Sequence, residues 1–358
     1  MSKFFSRRFS QLKPYVPGEQ LREEGIIKLN TNEFPYPPAP QAAQILSGGV
    51  TEQIRLYGDP NCSWLKTALA EQYGVSQQNI FVGNGSDEVL SFCFMAFFDG
   101  DVGVSYPDIS YGFYSVYSEL YGLRSREIPL TKNLEIRPED YFQSEGAVVI
   151  ANPNAPTGLS LSKLQIEEIV KNNPHHVVVI DEAYVDFGGE SSVELIKKYD
   201  NLIVVQTFSK SRGFAGGRLG FAIADPGLIG DLEKLRFSTN PYNVNSLTAA
   251  MGVAILENQD YYDNLVNKTI QTRDDVVAEL KNLGFICNNS KTNFVFAAHP
   301  QISGRAIYSA LRQKKILVRH FASPRIDDYV RITIGTEEQM IKVLNALKEM
   351  VQNETSKS

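Results

Sequence analysis

Cysteine and histidine are scarce in this sequence, and their positions exclude several kinds of site. Its 358 residues include three cysteines, Cys62, Cys93 and Cys287, which are widely separated and odd in number. They form neither a disulfide framework nor a CxxC metal pair, and a reducing cytosol suits them best. The four histidines show no ligand spacing such as HxxxH, so the sequence gives little support to a metal enzyme.

Excess positive charge and long apolar runs are also missing. The formal net charge of −6 disfavours a surface that binds nucleic-acid phosphates. No apolar run reaches membrane-spanning length, and no signal-peptide core follows the start. The opening MSKFFSRRFSQLK faintly resembles an organelle transit peptide, but we interpret it as an arm that leads into Pro14. We therefore expect a cytoplasmic protein without membrane or nucleic-acid partners.

From about residue 63 onward, apolar strand-like runs alternate with segments of helical spacing. The runs 147–151, 177–181 and 202–207 are continuously apolar or β-branched, and Ser162–Gln165 has the form of a capping box. Such strands predict an α/β fold whose mostly parallel sheet is covered on both faces. The chain is longer than one compact hydrophobic core usually accommodates. We expect a large domain over residues 45–255 and a smaller α/β domain built from 1–44 and 256–358.

Unusual polar clusters follow four of the predicted strands. They are Gly83–Glu88, Asn152–Gly158, Asp181–Tyr184 and Phe208–Gly213. Because ligands bind at the carboxyl ends of parallel strands, these clusters predict one shared pocket. Each cluster alone has an ordinary explanation, such as a strand-to-helix turn, a helix cap or an exposed loop lysine. A dinucleotide-binding loop at Gly83-x-Gly85 is disfavoured, because its third glycine is missing.

In combination these clusters resemble the aminotransferases of pyridoxal-phosphate fold type I. Arg218 follows Lys210 by eight positions within Thr207–Gly220, and Asp181 precedes Tyr184 by three. The resemblance implies a pyridoxal 5'-phosphate enzyme in which Lys210 forms the Schiff base to the cofactor. It also implies that Asp181 holds the proton on the pyridine nitrogen and that Tyr184 donates to the ring hydroxyl oxygen. These three residues are the predicted catalytic residues.

The same resemblance implies further cofactor contacts. Backbone amides at the helix start and two side chains are expected to hold the phosphate, namely Gly85, Ser86, Asp87, Ser209 and Arg218. Tyr111 is expected to stack on the pyridine ring. Tyr57 matches a tyrosine that reaches the phosphate across a dimer interface, which implies a homodimer.

One position departs from the family pattern. Members usually carry asparagine directly before Pro-Thr-Gly, where it donates to the ring oxygen, whereas this chain has Ala155 there and Asn154 one residue earlier. Two interpretations remain open, either that Asn154 substitutes or that Tyr184 acts alone. We favour Asn154.

Several segments are most similar to the histidinol-phosphate aminotransferase subfamily. They include Leu12–Gly18, Leu29–Glu33 and Tyr111–Val116. This resemblance implies amino transfer between L-histidinol phosphate and 2-oxoglutarate, giving imidazole acetol phosphate and glutamate. Guanidinium groups bind phosphate and carboxylate alike, and the expected substrate-binding residues are Tyr15, Asn32, Arg319 and Arg331.

Other activities are consistent with the same sequence motifs. An aromatic amino acid aminotransferase and a threonine-phosphate decarboxylase stay open as alternatives, because no residue chosen from the sequence separates them. A non-catalytic cofactor-binding regulator is disfavoured, since there is no room before Pro14 for a DNA-binding domain.

Overall fold

The computed structural model describes residues 5–9, 12–21, 23–47, 52, 54–98 and 100–355. Parts of the predicted N-terminal arm and the end of the polar tail lie outside these residues. The strands are β1 (Ile27–Lys28), β2 (Ile80–Gly83), β3 (Val104–Pro107), β4 (Ser125–Ile128), β5 (Ala147–Ala151), β6 (Val178–Asp181), β7 (Leu202–Thr207), β8 (Gly220–Ala224), β9 (Ile286–Cys287), β10 (Phe294–Ala298), β11 (Ile316–Leu317), β12 (Arg319–His320) and β13 (Tyr329–Thr333). The helices are α1 (Pro40–Gln44), α2 (Ser63–Tyr73), α3 (Ser86–Phe97), α4 (Phe113–Tyr121), α5 (Lys163–Lys171), α6 (Pro226–Thr239), α7 (Ser246–Leu256), α8 (Gln259–Asn282), α9 (Gly304–Gln313) and α10 (Glu337–Thr355).

The main sheet has seven strands in the order β2-β8-β7-β6-β5-β3-β4. Neighbouring strands are parallel except β8, which is antiparallel to both β2 and β7. The predicted α/β fold with a mostly parallel sheet is therefore confirmed. The predicted run 147–151 coincides with β5, and α5 begins with the predicted capping box, in which Ser162 accepts from the Gln165 backbone N–H.

Alternating side chains of the sheet enter two cores, one on each face. Val148 and Ile150 of β5 pack in the core formed with α2, α5 and α7. Val149 packs in the opposite core, with α3, α4 and α6. This double burial explains why the strands read as continuous apolar runs, since neither face is exposed to water.

A second, antiparallel sheet has the order β12-β13-β10-β9 and forms its own core with α9 and α10. The long helix α8 packs Tyr262 in the first core of the main sheet and Leu280 in the core of the second sheet. β1 pairs with β11, which joins the N-terminal segment to the C-terminal part. The division at residues 45 and 255 stays a prediction.

Candidate active site

A cleft lies at the carboxyl ends of β5, β6 and β7, the edge at which parallel sheets bind ligands. β2 runs in the same direction, so the residues after all four strands meet there. The cleft encloses about 530 Å³ of empty volume, part of it open to solvent. All four polar clusters contribute to its walls. The predicted residues that line it are Ser86, Asp87, Tyr111, Asp181, Tyr184, Ser209, Lys210 and Arg218.

Lys210 lies in the loop between β7 and β8, with its amine inside the cleft. Its Nζ donates to the Thr31 carbonyl oxygen at 3.3 Å and lies 5.5 Å from the centroid of the Tyr184 ring. The amine therefore lies where a molecule bound in the cleft can meet it.

Asp181 ends β6 at the floor of the cleft and is only 4% exposed. Its carboxylate accepts hydrogen bonds from the Tyr114 hydroxyl at 2.9 Å and from the Ala183 backbone N–H at 3.2 Å. Burial raises the pKa of Asp181 to about 6, while these two hydrogen bonds act in the opposite direction. A cationic group in the cleft would favour the ionised form, so the carboxylate is suited to hold a protonated ring nitrogen.

Tyr114 is a candidate functional residue that the sequence interpretation missed. It is fully buried on α4, and its ring lies edge-on to Tyr111 with the centroids 5.7 Å apart. The available signal was its position in the aromatic stretch that begins at Tyr111, three residues before it. In an aromatic run, however, a core role is equally consistent with that position.

The N-terminal end of α3 forms another wall of the cleft. Asp87 accepts a 2.6 Å hydrogen bond from the Tyr111 hydroxyl and pairs with Arg218 Nη2 at 3.0 Å. Gly85, the N-cap, has φ of +83°, and a Cβ there would lie 2.4 Å from Arg218 Nη2. The glycine therefore allows the guanidinium to approach the helix N-terminus, where backbone amides and positive charge favour an anion.

A wider cleft adjoins the first and shares Tyr111, Ala155, Tyr184 and Lys210 with it. The four predicted substrate-binding residues, Tyr15, Asn32, Arg319 and Arg331, all line this second cleft. Tyr15 stacks on Phe113 with centroids 4.3 Å apart, which adds an aromatic wall beside Tyr111.

Arg331 lies on β13 between the rings of Phe294 and Phe321, with its Cζ 5.2 and 5.4 Å from their centroids. Its Nη2 reaches the Asn30 carbonyl oxygen at 3.3 Å, and its buried Nε has no hydrogen-bond partner in the described part of the chain. Burial lowers the pKa of Arg331 from its ordinary value. Arg331 is half-buried, and a buried Nε without a partner is costly in the absence of an anion, so this group is a candidate anion-binding site.

Two predicted residues are not brought to the cofactor cleft. The Asn154 amide donates to the Ile109 carbonyl oxygen at 3.0 Å and to Thr157 Oγ1 at 3.1 Å, and its oxygen accepts from Ser110. Ala155 lines the cleft instead, so the geometry gives no support to the substitution by Asn154. Tyr57 is 84% exposed and stacks on Tyr242, lining a separate groove.

This arrangement agrees with what the chain resembles among known proteins. The family model "Aminotransferase class I and II" matches residues 24–347. The histidinol-phosphate aminotransferase of Acinetobacter baylyi is 48% identical over 349 residues, covering 97% of both chains. That of Brachyspira hyodysenteriae is 48% identical over 354 residues, covering 99% of this chain and all of the relative. The chain belongs to the class I and II aminotransferase family.

The fold of this aminotransferase is also found among solved structures. The histidinol-phosphate aminotransferase of Sinorhizobium meliloti, crystallised in complex with pyridoxal 5'-phosphate, matches with a TM-score of 0.89 at 24% identity. The alignment covers 99% of each chain. At this identity the likeness shows the shared fold, and the sequence-based prediction of the family is confirmed by the closer relatives.

The residues of the cleft fit pyridoxal phosphate. A buried carboxylate, an amine, a guanidinium beside a helix N-terminus and an aromatic wall are the groups that a pyridinium, an aldehyde, a phosphate and a flat ring require. Gly85, with its φ of +83°, disfavours any side chain at the turn that Arg218 approaches.

Two other classes of site receive no support. Within the described residues, no group of three His, Cys, Asp or Glu side chains is arranged to hold a metal ion. The helices described here also include none that is both long and apolar enough to span a membrane.

Proposed function

We propose that this aminotransferase uses pyridoxal 5'-phosphate to move an amino group from L-histidinol phosphate to 2-oxoglutarate, giving imidazole acetol phosphate and glutamate. The observation that carries the proposal is the 48% identity, over nearly the full chain, with two histidinol-phosphate aminotransferases. The half-buried Arg331, whose buried Nε has no partner among the described residues, lines a cleft with Lys210 and supports an anionic substrate.

Each residue of the cofactor cleft has a role in this proposal. When bound, the cofactor supplies an electron sink for the bond that breaks at the substrate Cα. Asp181 keeps the proton on the ring nitrogen. The Lys210 amine would act as the base that takes the proton from the substrate Cα and as the acid that gives it back during the transfer. Arg218, the Ser209 hydroxyl and the Ser86 backbone amide bind the phosphate.

The adjoining cleft must bind two different anions in turn. A guanidinium accepts a phosphate or a carboxylate through parallel hydrogen bonds, so Arg331 can bind the phosphate of histidinol phosphate and then a carboxylate of 2-oxoglutarate. Arg319 and Tyr15 line the same cleft and are proposed to assist.

We further propose that the enzyme is a cytoplasmic homodimer and that Tyr57 reaches the partner's phosphate site. Tyr57 and Trp64 are 84% and 85% exposed and line one apolar groove with Leu56 and Val253. Exposed apolar surface of this kind is typical of a protein interface. The three cysteines are all free thiols, which supports a reducing compartment.

The decisive experiment is an amino-donor panel on the purified enzyme. L-Histidinol phosphate, L-histidinol, phenylalanine and threonine phosphate are each tested with 2-oxoglutarate, and the cofactor is followed from its aldehyde to its amine form. We expect the kcat/KM of histidinol phosphate to exceed that of histidinol by about 100-fold, because a substrate without the phosphate leaves the half-buried Arg331 guanidinium without an anionic partner.

The alternatives give distinct results in the same panel. A preference for phenylalanine would assign the enzyme to aromatic amino acids, and release of CO2 from threonine phosphate would assign a decarboxylase. Either outcome contradicts the proposed substrate.

A further inference from the structure

The hydroxyl of Tyr184 accepts a hydrogen bond from a buried amide. Asn32 Nδ2 donates to Tyr184 Oη at 2.8 Å, and the two residues are 1% and 9% exposed. A side-chain NH2 group can only donate, so the tyrosine oxygen is the acceptor here. The hydroxyl proton of Tyr184 must therefore point away from Asn32.

The orientation of the Asn32 amide follows from its other contacts. The Thr333 hydroxyl accepts the Asn32 backbone N–H at 3.0 Å and donates to Asn32 Oδ1 at 3.1 Å. This leaves Nδ2 for Tyr184. Asn293 Nδ2 also donates to the Asn32 carbonyl oxygen at 3.0 Å, and Asn32 has a φ of +56°, which asparagine tolerates better than most residues.

The side of the cleft next to Tyr184 has few other donors. Ala155, which packs in the same cluster as Tyr184 and lines both clefts, carries no polar side-chain atom. The amide of Asn154 is committed to Ile109 and Thr157. Besides the Lys210 amine, the Tyr184 hydroxyl is the donor that the described residues present on this side of the cleft.

We propose that Asn32 is a positioning residue that turns the Tyr184 hydroxyl proton into the cleft, for donation to the ring hydroxyl oxygen of bound pyridoxal phosphate. This inference deepens the proposed function and rests on the cofactor binding proposed there. Thr333 and Asn293 hold Asn32 in place from the C-terminal part of the chain. The strength of the hydrogen bond from Tyr184 to the cofactor therefore depends on how β13, which carries Thr333, packs against the N-terminal segment that carries Asn32.

The test is a spectrophotometric pH titration of the bound cofactor, which needs no turnover. A proton donated to the ring oxygen withdraws charge from that oxygen and weakens its hold on the proton of the Lys210 nitrogen. Removing the donor should therefore raise the pH midpoint of the absorbance change. We expect Tyr184→Phe to raise it by about one pH unit, and Asn32→Gly by a smaller amount in the same direction. Glycine suits the positive φ of position 32.

The double variant separates positioning from other effects. If Asn32 acts through the tyrosine, Asn32→Gly adds no shift in the Tyr184→Phe background, because the two changes remove one interaction. An equal shift in both backgrounds, or none in either, overturns the inference. Thr333→Val, which preserves the shape of the strand residue, should give a small rise and serves if Asn32→Gly folds poorly; an unchanged midpoint there also counts against the inference.

Two controls make the outcomes distinguishable. Asn201→Ala removes another amide, one that donates to three carbonyl oxygens away from the cleft, and should leave the midpoint unchanged. A shift there equal to that of Asn32→Gly would mean that general loosening causes the effect, and would overturn the inference. Wild-type protein that shows no titrating cofactor absorbance would instead contradict the proposed function itself.

Discussion

The hydroxyl of Tyr114 donates to Asp181 Oδ2 at 2.9 Å beneath the cofactor cleft. Burial and the nearby Asp181 charge raise the pKa of Tyr114 well above its ordinary value, so the tyrosine stays a donor at any physiological pH. The hydrogen bond in turn lowers the pKa of Asp181 against the stronger effect of burial. Tyr114 thus favours the charged form of Asp181, the carboxylate that we propose holds the protonated ring nitrogen.

Tyr114→Phe should weaken binding of pyridoxal phosphate. Losing a hydrogen bond to a charged group is expected to raise the Kd about tenfold, which corresponds to about 1.4 kcal/mol. Titration of the apoenzyme with cofactor measures this change. Tyr141→Phe is the matched control, because Tyr141 is equally buried and its hydroxyl has no hydrogen-bond partner among the residues that the structure describes. Equal Kd values for the two variants would rule out the supporting role.

Asp181 should make the apoenzyme less stable as the pH rises. The folded chain, with a pKa of about 6 instead of 3.8 at this residue, keeps a proton that the unfolded chain releases. The free energy of unfolding therefore falls between about pH 4 and pH 6, by at most about 3 kcal/mol.

Asp181→Asn should remove this part of the pH dependence while weakening cofactor binding. Urea unfolding of both apoenzymes at pH 4.5 and 7.5 measures the difference. Glu182 is also buried, with its pKa raised to about 7, so a residual slope should remain. Identical slopes for the variant and the wild type would show that Asp181 does not titrate as described.

Arg331→Gln should lower kcat/KM for both histidinol phosphate and 2-oxoglutarate. The loss of charged hydrogen bonds is expected to cost about 1.5–3 kcal/mol for each substrate, or about 10- to 100-fold. Steady-state kinetics with each substrate varied in turn checks this. Arg305→Gln, at an exposed position on α9, should leave both constants unchanged. An effect on neither substrate would remove Arg331 from the binding site.

Lys210→Ala should lower kcat by at least about 10³-fold, because both the proton carrier and the covalent link to the cofactor are lost. Borohydride reduction followed by peptide mass spectrometry should find the cofactor attached at Lys210 in the wild type and nowhere in the variant. Covalent labelling of another lysine in the wild type would refute this assignment. Lys314→Ala, an exposed lysine on the surface, provides the comparison.

Mixing two inactive variants tests the proposed role of Tyr57. A heterodimer of Tyr57→Ala and Lys210→Ala subunits has one site with both residues intact, provided that Tyr57 serves the partner's site. After random subunit exchange, about one quarter of the wild-type activity should return, because about half of the dimers carry one intact site each. No recovery, with exchange verified by native mass spectrometry, would place Tyr57 outside the partner's site.

The fold was largely predictable because both faces of the main sheet are buried. The strands β5 to β7 stand out as apolar runs for that reason, and the polar residues after them identified the cleft. β8 was missed, since its five residues follow directly on a glycine-rich loop. Its antiparallel direction also depends on pairing that local sequence does not encode.

Contacts between distant parts of the chain were harder to predict. Tyr114 and Asp181 are 67 positions apart, and Asn32 and Thr333 are 301 apart. Asn154 illustrates a different limit. Its type and approximate position suggested a substitute for the missing amide, but a shift of one residue directs the side chain to Ile109 and Thr157 instead.

The antiparallel return of β8 beside β7 brings both ends of their connecting loop back to one edge of the sheet. Lys210 and Arg218 lie on that same loop, so a single hairpin is expected to grip the cofactor at its carbonyl end and at its phosphate. Loops elsewhere around the cleft can change length without altering the distance between amine and guanidinium. An insertion between residues 210 and 218 would change both attachments together. The length of this loop therefore sets the distance between amine and guanidinium that the ligand must span.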